Sequence, residues 1–231
     1  DVYSVLPEEL KGIPVEDMED RLIIPGLTDL HIHAPQYTFR SLGMDMELLE
    51  WLETNTFPEE SKYKDAEYAK KAYGMFAEQL KKSATVWACI FGTIHNEATL
   101  ILMDLLEEAG LHTMVGKVNM DRNSPDYLCE PSAEASAQAT REWLKAVADR
   151  KYKHTRPILT PRFTPSCTDE LMELLKEIQT ETHLPMQSHL SENPGEIAWV
   201  KELCPWSEFY GDAYDKFGLF GGDCPTVMAH C

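Results

Sequence analysis

Short apolar runs alternate with stretches in which apolar residues recur at helical spacing. Residues 21–32 carry the first run, Leu22-Ile23-Ile24, broken by Pro25-Gly26 and resumed at Leu27; it reads as a first strand. Five more runs rich in strand formers follow at 84–90 (ATVWACI), 111–118 (LHTMVGKV), 156–163 (RPILTPRF), 184–189 (LPMQSH) and 225–229 (PTVMA). Helical spacing fills the gaps. Residues 64–82 place Ala69, Ala72, Tyr73, Phe76 and Leu80 on one face. Residues 97–109 stop at Gly110, a helix-end signal. Residues 132–150 put Trp143, Leu144 and Val147 on one side. The stretch Ser166-Cys167-Thr168-Asp169 fits a helix start, with Leu171, Leu174, Leu175 and Ile178 as the apolar stripe behind it. Residues 197–203 read as helix, with another over 206–217. A long excursion after residue 37 holds a short helix at 46–51 and a turn at 55–58, and 119–131 is a long polar loop.

Strand and helix alternate six times, which predicts a parallel α/β fold. No G-x-G-x-x-G follows the first strand and there is no P-loop, so a nucleotide-binding doubly wound sheet has no support. A (β/α) barrel of the TIM type suits the alternation, with about six of its eight strand-helix units present. Residues 1–20, polar and broken by Pro7 and Pro14, form an irregular lead-in, and 21–231 form the partial barrel.

Composition narrows the function. The 231 residues, 43% of them hydrophobic, are enough for one large core. The net charge of −18, from 39 acidic against 21 basic residues, repels phosphate backbones and argues against nucleic acid as a partner. It suits a small neutral or cationic ligand. Six scattered cysteines without C-x-x-C spacing point to free thiols in a reducing compartment. No apolar run reaches membrane-spanning length and no signal peptide opens the chain, so the expected location is the cytoplasm, away from membranes.

The chemistry gathers where strands end. In a strand, His31 and His33 face one way and Ile32 the other. Barrel sites are built from the C-terminal ends of the strands. His31 and His33 end the first strand, Arg162 the fourth, His189 the fifth and His230 the sixth. Four imidazoles converging on one barrel mouth make a candidate metal site. His112 and His183 lie near strand beginnings and His154 in a basic loop, while His95 follows the second strand, where either a place at the mouth or a surface or supporting role is open to it.

Several segments are more specific than this pattern. PGLTDLHIHAPQY at 25–37 resembles the metal-binding opening of the amidohydrolase superfamily and, within it, the guanine deaminase family. Pro161-Arg162-Phe163, the run 188–193 (SHLSEN) and the run 227–231 (VMAHC) resemble the same family in the same order. The resemblance implies that His31, His33, His189 and His230 hold one zinc, that Gln36 and Arg162 hold a purine, and that Glu192 moves protons. It implies hydrolysis of guanine to xanthine and ammonia, as in purine catabolism, with a homodimer in the full-length protein. It also implies a fragment, since the family's aspartate ligand on the eighth strand has no position here. Zinc on neutral imidazoles acidifies its water to about pKa 7, suited to attack at C2 of guanine. Arg162 has donors for O6 and N7. Gln36 offers an amide, and Phe163 can flank the ring. Each assignment has a structural alternative: a helix start at Glu192, an ion pair at Arg162, a loop hydrogen bond at Gln36, a core position for Phe163. Two other functions stay open: a related hydrolase acting on cytosine, a triazine or an adenosine-like amine, and a non-catalytic metal-binding module. No P-C-x-x-C is present, which excludes the other zinc nucleobase deaminase design.

Overall fold

The computed structural model describes residues 4–231; residues 1–3 of the lead-in lie outside that range. Its strands, in chain order, are β1 (Leu27–His33), β2 (Thr85–Phe91), β3 (His112–Gly116), β4 (Val118–Asn119), β5 (Thr155–Pro157), β6 (Thr160–Pro161), β7 (Met186–Leu190) and β8 (Thr226–His230). β1, β2, β3 and β5 form one sheet, β4 pairs with β6, and β7 with β8. Every pairing is parallel. A parallel bridge from Leu159 to Met186 carries the succession across to β7. This is an α/β fold of the TIM-barrel type, as the alternation predicts. The third and fourth predicted strands are each divided, one at Lys117 and the other at Ile158-Leu159. At the first break the chains approach so closely that a Cβ on Gly116 would lie 1.7 Å from Thr160 Oγ1, so only glycine fits.

The first strand begins later than residue 21. Leu22 and Ile23 are exposed, and the ladder opens with the Leu27 N–H donating to the Ala84 carbonyl at 2.9 Å. Pro25 has no N–H to give, and β2 offers a partner only from Thr85 onward. The irregular lead-in therefore runs to residue 26 and includes a short 3-10 helix at Glu8–Leu10.

The helices are α1 (Leu48–Trp51), α2 (Phe57–Ser61), α3 (Ala66–Lys81), α4 (Asn96–Glu108), α5 (Ala133–Arg150), α6 (Asp169–Thr182), α7 (Pro194–Leu203) and α8 (Asp212–Asp215). No turn exists at 55–58. A π-helical turn, Leu52–Thr56, joins α1 to α2, and Pro58 sits in the first turn of α2, where a missing N–H costs nothing. The helix expected over 206–217 is confined to α8, and Asn119 of the expected loop belongs to β4. Among the described residues, no helix is long and apolar enough to cross a membrane.

The predicted stripes face inward. Ala69, Ala72, Tyr73, Phe76 and Leu80 of α3 join Ala88 and Ile90 of β2 in one core cluster. Leu171, Leu175 and Ile178 of α6 join Met186 of β7 and Tyr214 of α8 in a second, while Leu174 is only partly buried. Helix starts are capped: the Ala135 N–H donates to Ser132 Oγ at 3.2 Å, and the Leu171 N–H to Thr168 Oγ1 at 3.1 Å. Ser132→Ala is expected to cost about 1 kcal/mol of stability. The midpoint of urea unfolding checks this in the full-length protein; an unchanged midpoint would show that water replaces the cap.

Candidate metal centre and binding cavity

Period-two alternation turns His31 and His33 of β1 to the same side, and the ends of β7 and β8 bring His189 and His230 against them. Donor nitrogens of His31, His189 and His230 all lie within 4.8 Å of one another. His33 completes the group, its Nε2 2.9 Å from Nε2 of His189. Neighbouring rings of the four lie with centroids about 5 Å apart, and Phe91, which ends β2, packs against His31, His33 and His189, stacking on His33 at 4.5 Å. All four predicted imidazoles therefore meet.

The electrostatics hold them neutral. Burial lowers the pKa of His31 to about 4, with His230 adding to the effect. Burial drives His33 and His189 well below the usual histidine range, helped by neighbouring imidazoles and by Arg162. Burial also lowers His230, against the pull of Glu196. His189 Nδ1–H donates to the Arg162 carbonyl at 2.6 Å, which leaves the Nε2 lone pair facing its neighbours. Buried ring nitrogens of His31 and His33 have no hydrogen-bond partner among the described residues. Clustered neutral nitrogen donors, one of them oriented from behind by a carbonyl, fit a borderline divalent cation such as zinc.

A cavity of about 450 Å³ opens beside the histidines. That is ample for a small heterocycle. Gln36, Arg162, Phe163 and Glu192, all singled out from sequence, line it together with the imidazoles. Gln36 sits in a tight turn, Ala34–Phe39, that follows β1 directly. Phe163 is both a wall of the cavity and a member of a small core with Phe57 and Leu128. Glu192 does not cap the helix after it. Asn193 caps α7, and Glu196 closes the capping box. The Glu192 carboxylate lies 3.5 Å from His230 Nε2, and burial raises its pKa, opposed by Arg162.

Arg162 proves to be an ion pair as well as a cavity residue. Its Nη1 and Nη2 donate to the two carboxylate oxygens of Glu60 at 2.6 and 3.1 Å, and both side chains are buried. Sequence reasoning missed Glu60, because a glutamate in a helical excursion reads as solvated. It also missed Phe91, one residue past the predicted second strand, although the strand-end rule that selects His189 applies there too. Leu48, Trp51 and Leu52, from the same excursion as Glu60, close one side of the cavity.

A TIM-type barrel with an imidazole cluster at its strand ends defines a hydrolase class, and the chain belongs to the amidohydrolase family, which it matches over residues 22–231. Members of that family are typically metal-dependent. Within it, the chain is 43% identical to the guanine deaminase of Dictyostelium discoideum over 217 residues, covering 94% of this chain and 48% of that protein. It is 39% identical to the guanine deaminase of Escherichia coli K12, covering 95% of this chain and 49% of the relative. A crystal structure of guanine deaminase from C. acetobutylicum, with guanine bound in its active site, superimposes with a TM-score of 0.92 at 49% identity. The match covers 98% of this chain and 53% of that one. The chain thus spans about half the length of the curated relatives it matches.

Proposed function

We propose that the full-length protein containing this chain is a zinc-dependent enzyme of purine catabolism that hydrolyses guanine to xanthine and ammonia. The observation that carries the reading is the meeting of four neutral imidazoles with Arg162, Gln36 and Glu192 around one cavity. The likeness to guanine deaminases, one with guanine in its active site, supports it. A cytoplasmic location and a homodimer belong to the same reading.

His31, His33, His189 and His230 would hold the zinc. When bound, zinc supplies a water acidified into the neutral range. The remaining residues handle the base. Arg162 donates to the O6 and N7 acceptors of guanine, an edge to which a planar guanidinium is matched. Gln36 offers one donor group and one acceptor to the ring, and Phe163 flanks it. Glu192 passes a proton to the ring nitrogen beside C2 as the C2–O bond forms, so that charge does not accumulate there. A second proton transfer lets the exocyclic amine leave as ammonia, and the water oxygen remains on C2 as the new carbonyl.

The test is ammonia release from guanine by the zinc-loaded full-length protein, with adenine and cytosine alongside. Release from guanine alone is expected. Release from cytosine or adenine instead would replace the substrate assignment, and no release with zinc bound would overturn it. Removing the metal with a chelator is expected to abolish turnover, and added zinc to restore it. Turnover that survives complete metal removal, checked by elemental analysis, would sink the metal-dependent reading.

A further inference from the structure

The short helix α2 presents two consecutive glutamates to two different parts of the cavity wall. Glu60 is fully buried and accepts both Nη groups of Arg162 in a fork, at 2.6 and 3.1 Å. The Phe57 ring, three residues earlier, lies 5.3 Å from the Arg162 guanidinium carbon. Glu59 faces the other way. Its carboxylate accepts from Thr38 Oγ1 at 2.7 Å, from Lys62 Nζ at 2.5 Å and from the Tyr68 hydroxyl. Thr38 belongs to the same tight turn as Gln36. One residue after the helix and its following Lys62, the Tyr63 hydroxyl donates to the Pro35 carbonyl of that turn at 3.2 Å. A single stretch, 57–63, thus grips the Arg162 head on one side and the Gln36 turn on the other.

A guanidinium is a flat group on a long flexible stem, and alone it samples many orientations. A buried two-point carboxylate pair fixes both its plane and its rotation in that plane. The N–H groups not engaged by Glu60 are then held in one arrangement before any ligand arrives. Pre-set donors bind tighter than floppy ones because ordering them costs nothing at the moment of binding. They also discriminate, since a ligand lacking the matching acceptor leaves a buried donor unpaired.

We infer that Glu60 is a specificity-determining positioning residue, which aims the Arg162 guanidinium so that the cavity selects purines bearing a 6-oxo group. This rests on the proposed purine reading and goes beyond it. Nothing in the sequence near residue 60 signals the role, because its partner stands 102 residues away.

The test is direct binding of two non-reacting probes to the zinc-loaded full-length protein by calorimetry. Hypoxanthine keeps O6 and N7 but has no 2-amino group to lose. Unsubstituted purine keeps N7 and lacks O6. The wild type is expected to prefer hypoxanthine. Glu60→Gln keeps the shape but removes the charge, and is expected to cut that preference about 10-fold or more, the scale of a hydrogen bond to a charged group. Should that variant fail to fold, Glu60→Asp keeps the charge, withdraws it by one methylene, and is expected to move the preference the same way. Equal weakening of both probes in a folded variant, or an unchanged preference, would overturn the inference while leaving guanine turnover untouched as a separate question. A wild type without preference for hypoxanthine would overturn it too. Guanine turnover by the same wild-type preparation reports separately on the proposed function.

Discussion

His189→Ala is expected to strip the metal centre and bring guanine turnover to background. His189 is the most constrained of the four imidazoles. It is 6% exposed, it lies in a fully buried strand, and its carbonyl accepts from the Tyr214 hydroxyl at 2.7 Å while its Nδ1–H is held by the Arg162 carbonyl. Its ring is therefore oriented by the Arg162 carbonyl behind it and held by the buried strand that carries it. Loss of groups that merely orient metal ligands typically costs about 10- to 100-fold in metal affinity, so loss of the ligand itself should exceed about 100-fold. Elemental analysis after dialysis, together with ammonia release, reads the outcome. His95→Ala is the control: His95 precedes α4, stands outside the cluster, and should leave zinc content unchanged. Retention of a full equivalent of zinc by His189→Ala would remove this residue from the proposed ligand set.

The second large effect is on stability. Arg162→Ala leaves the Glu60 carboxylate buried with no counter-charge, in a site where the paired side chains are 3% and 1% exposed. Removing one partner of such a pair costs about 3–5 kcal/mol, mostly the penalty of stranding the other charge. Replacing both, as Arg162→Met with Glu60→Leu, should recover much of that, because an apolar pair of similar bulk needs no compensation. Denaturant unfolding of the full-length variants separates the cases. A cost near that of a surface substitution for Arg162→Ala would mean that water reaches Glu60 freely. The double variant would still bind purines poorly, since the guanidinium is gone; stability and recognition part company at this pair.

The divided strands and the excursion show which interactions depend on non-local geometry. Period two in β1 was enough to pair His31 with His33, and helical spacing in 64–82 was enough to turn Ala72, Tyr73 and Phe76 inward, because both patterns are local consequences of backbone repeat. The positions of Arg162, His189 and His230 at strand ends were also legible, since a parallel α/β alternation dictates which end of each strand carries a site. What was not legible depended on chains far apart in sequence. Leu22 and Ile23 look like strand and are not, because among the described residues no strand pairs with them. Residues 55–58 look like a turn and are helical.

By itself, then, the order of residues determined the alternation, the apolar faces and the set of imidazoles, all of which follow from periodicities within a few residues. Only the tertiary structure decided that Glu60 reaches across 102 residues to fix Arg162, and that the Arg162 carbonyl sets the tautomer of His189. It likewise decided that Asn193 and Glu196 do the capping that leaves Glu192 free for the cavity. The physical reason is the same in each case. A buried polar group must find a partner wherever the fold brings one, and that choice is made by packing across the barrel, not by spacing along the chain.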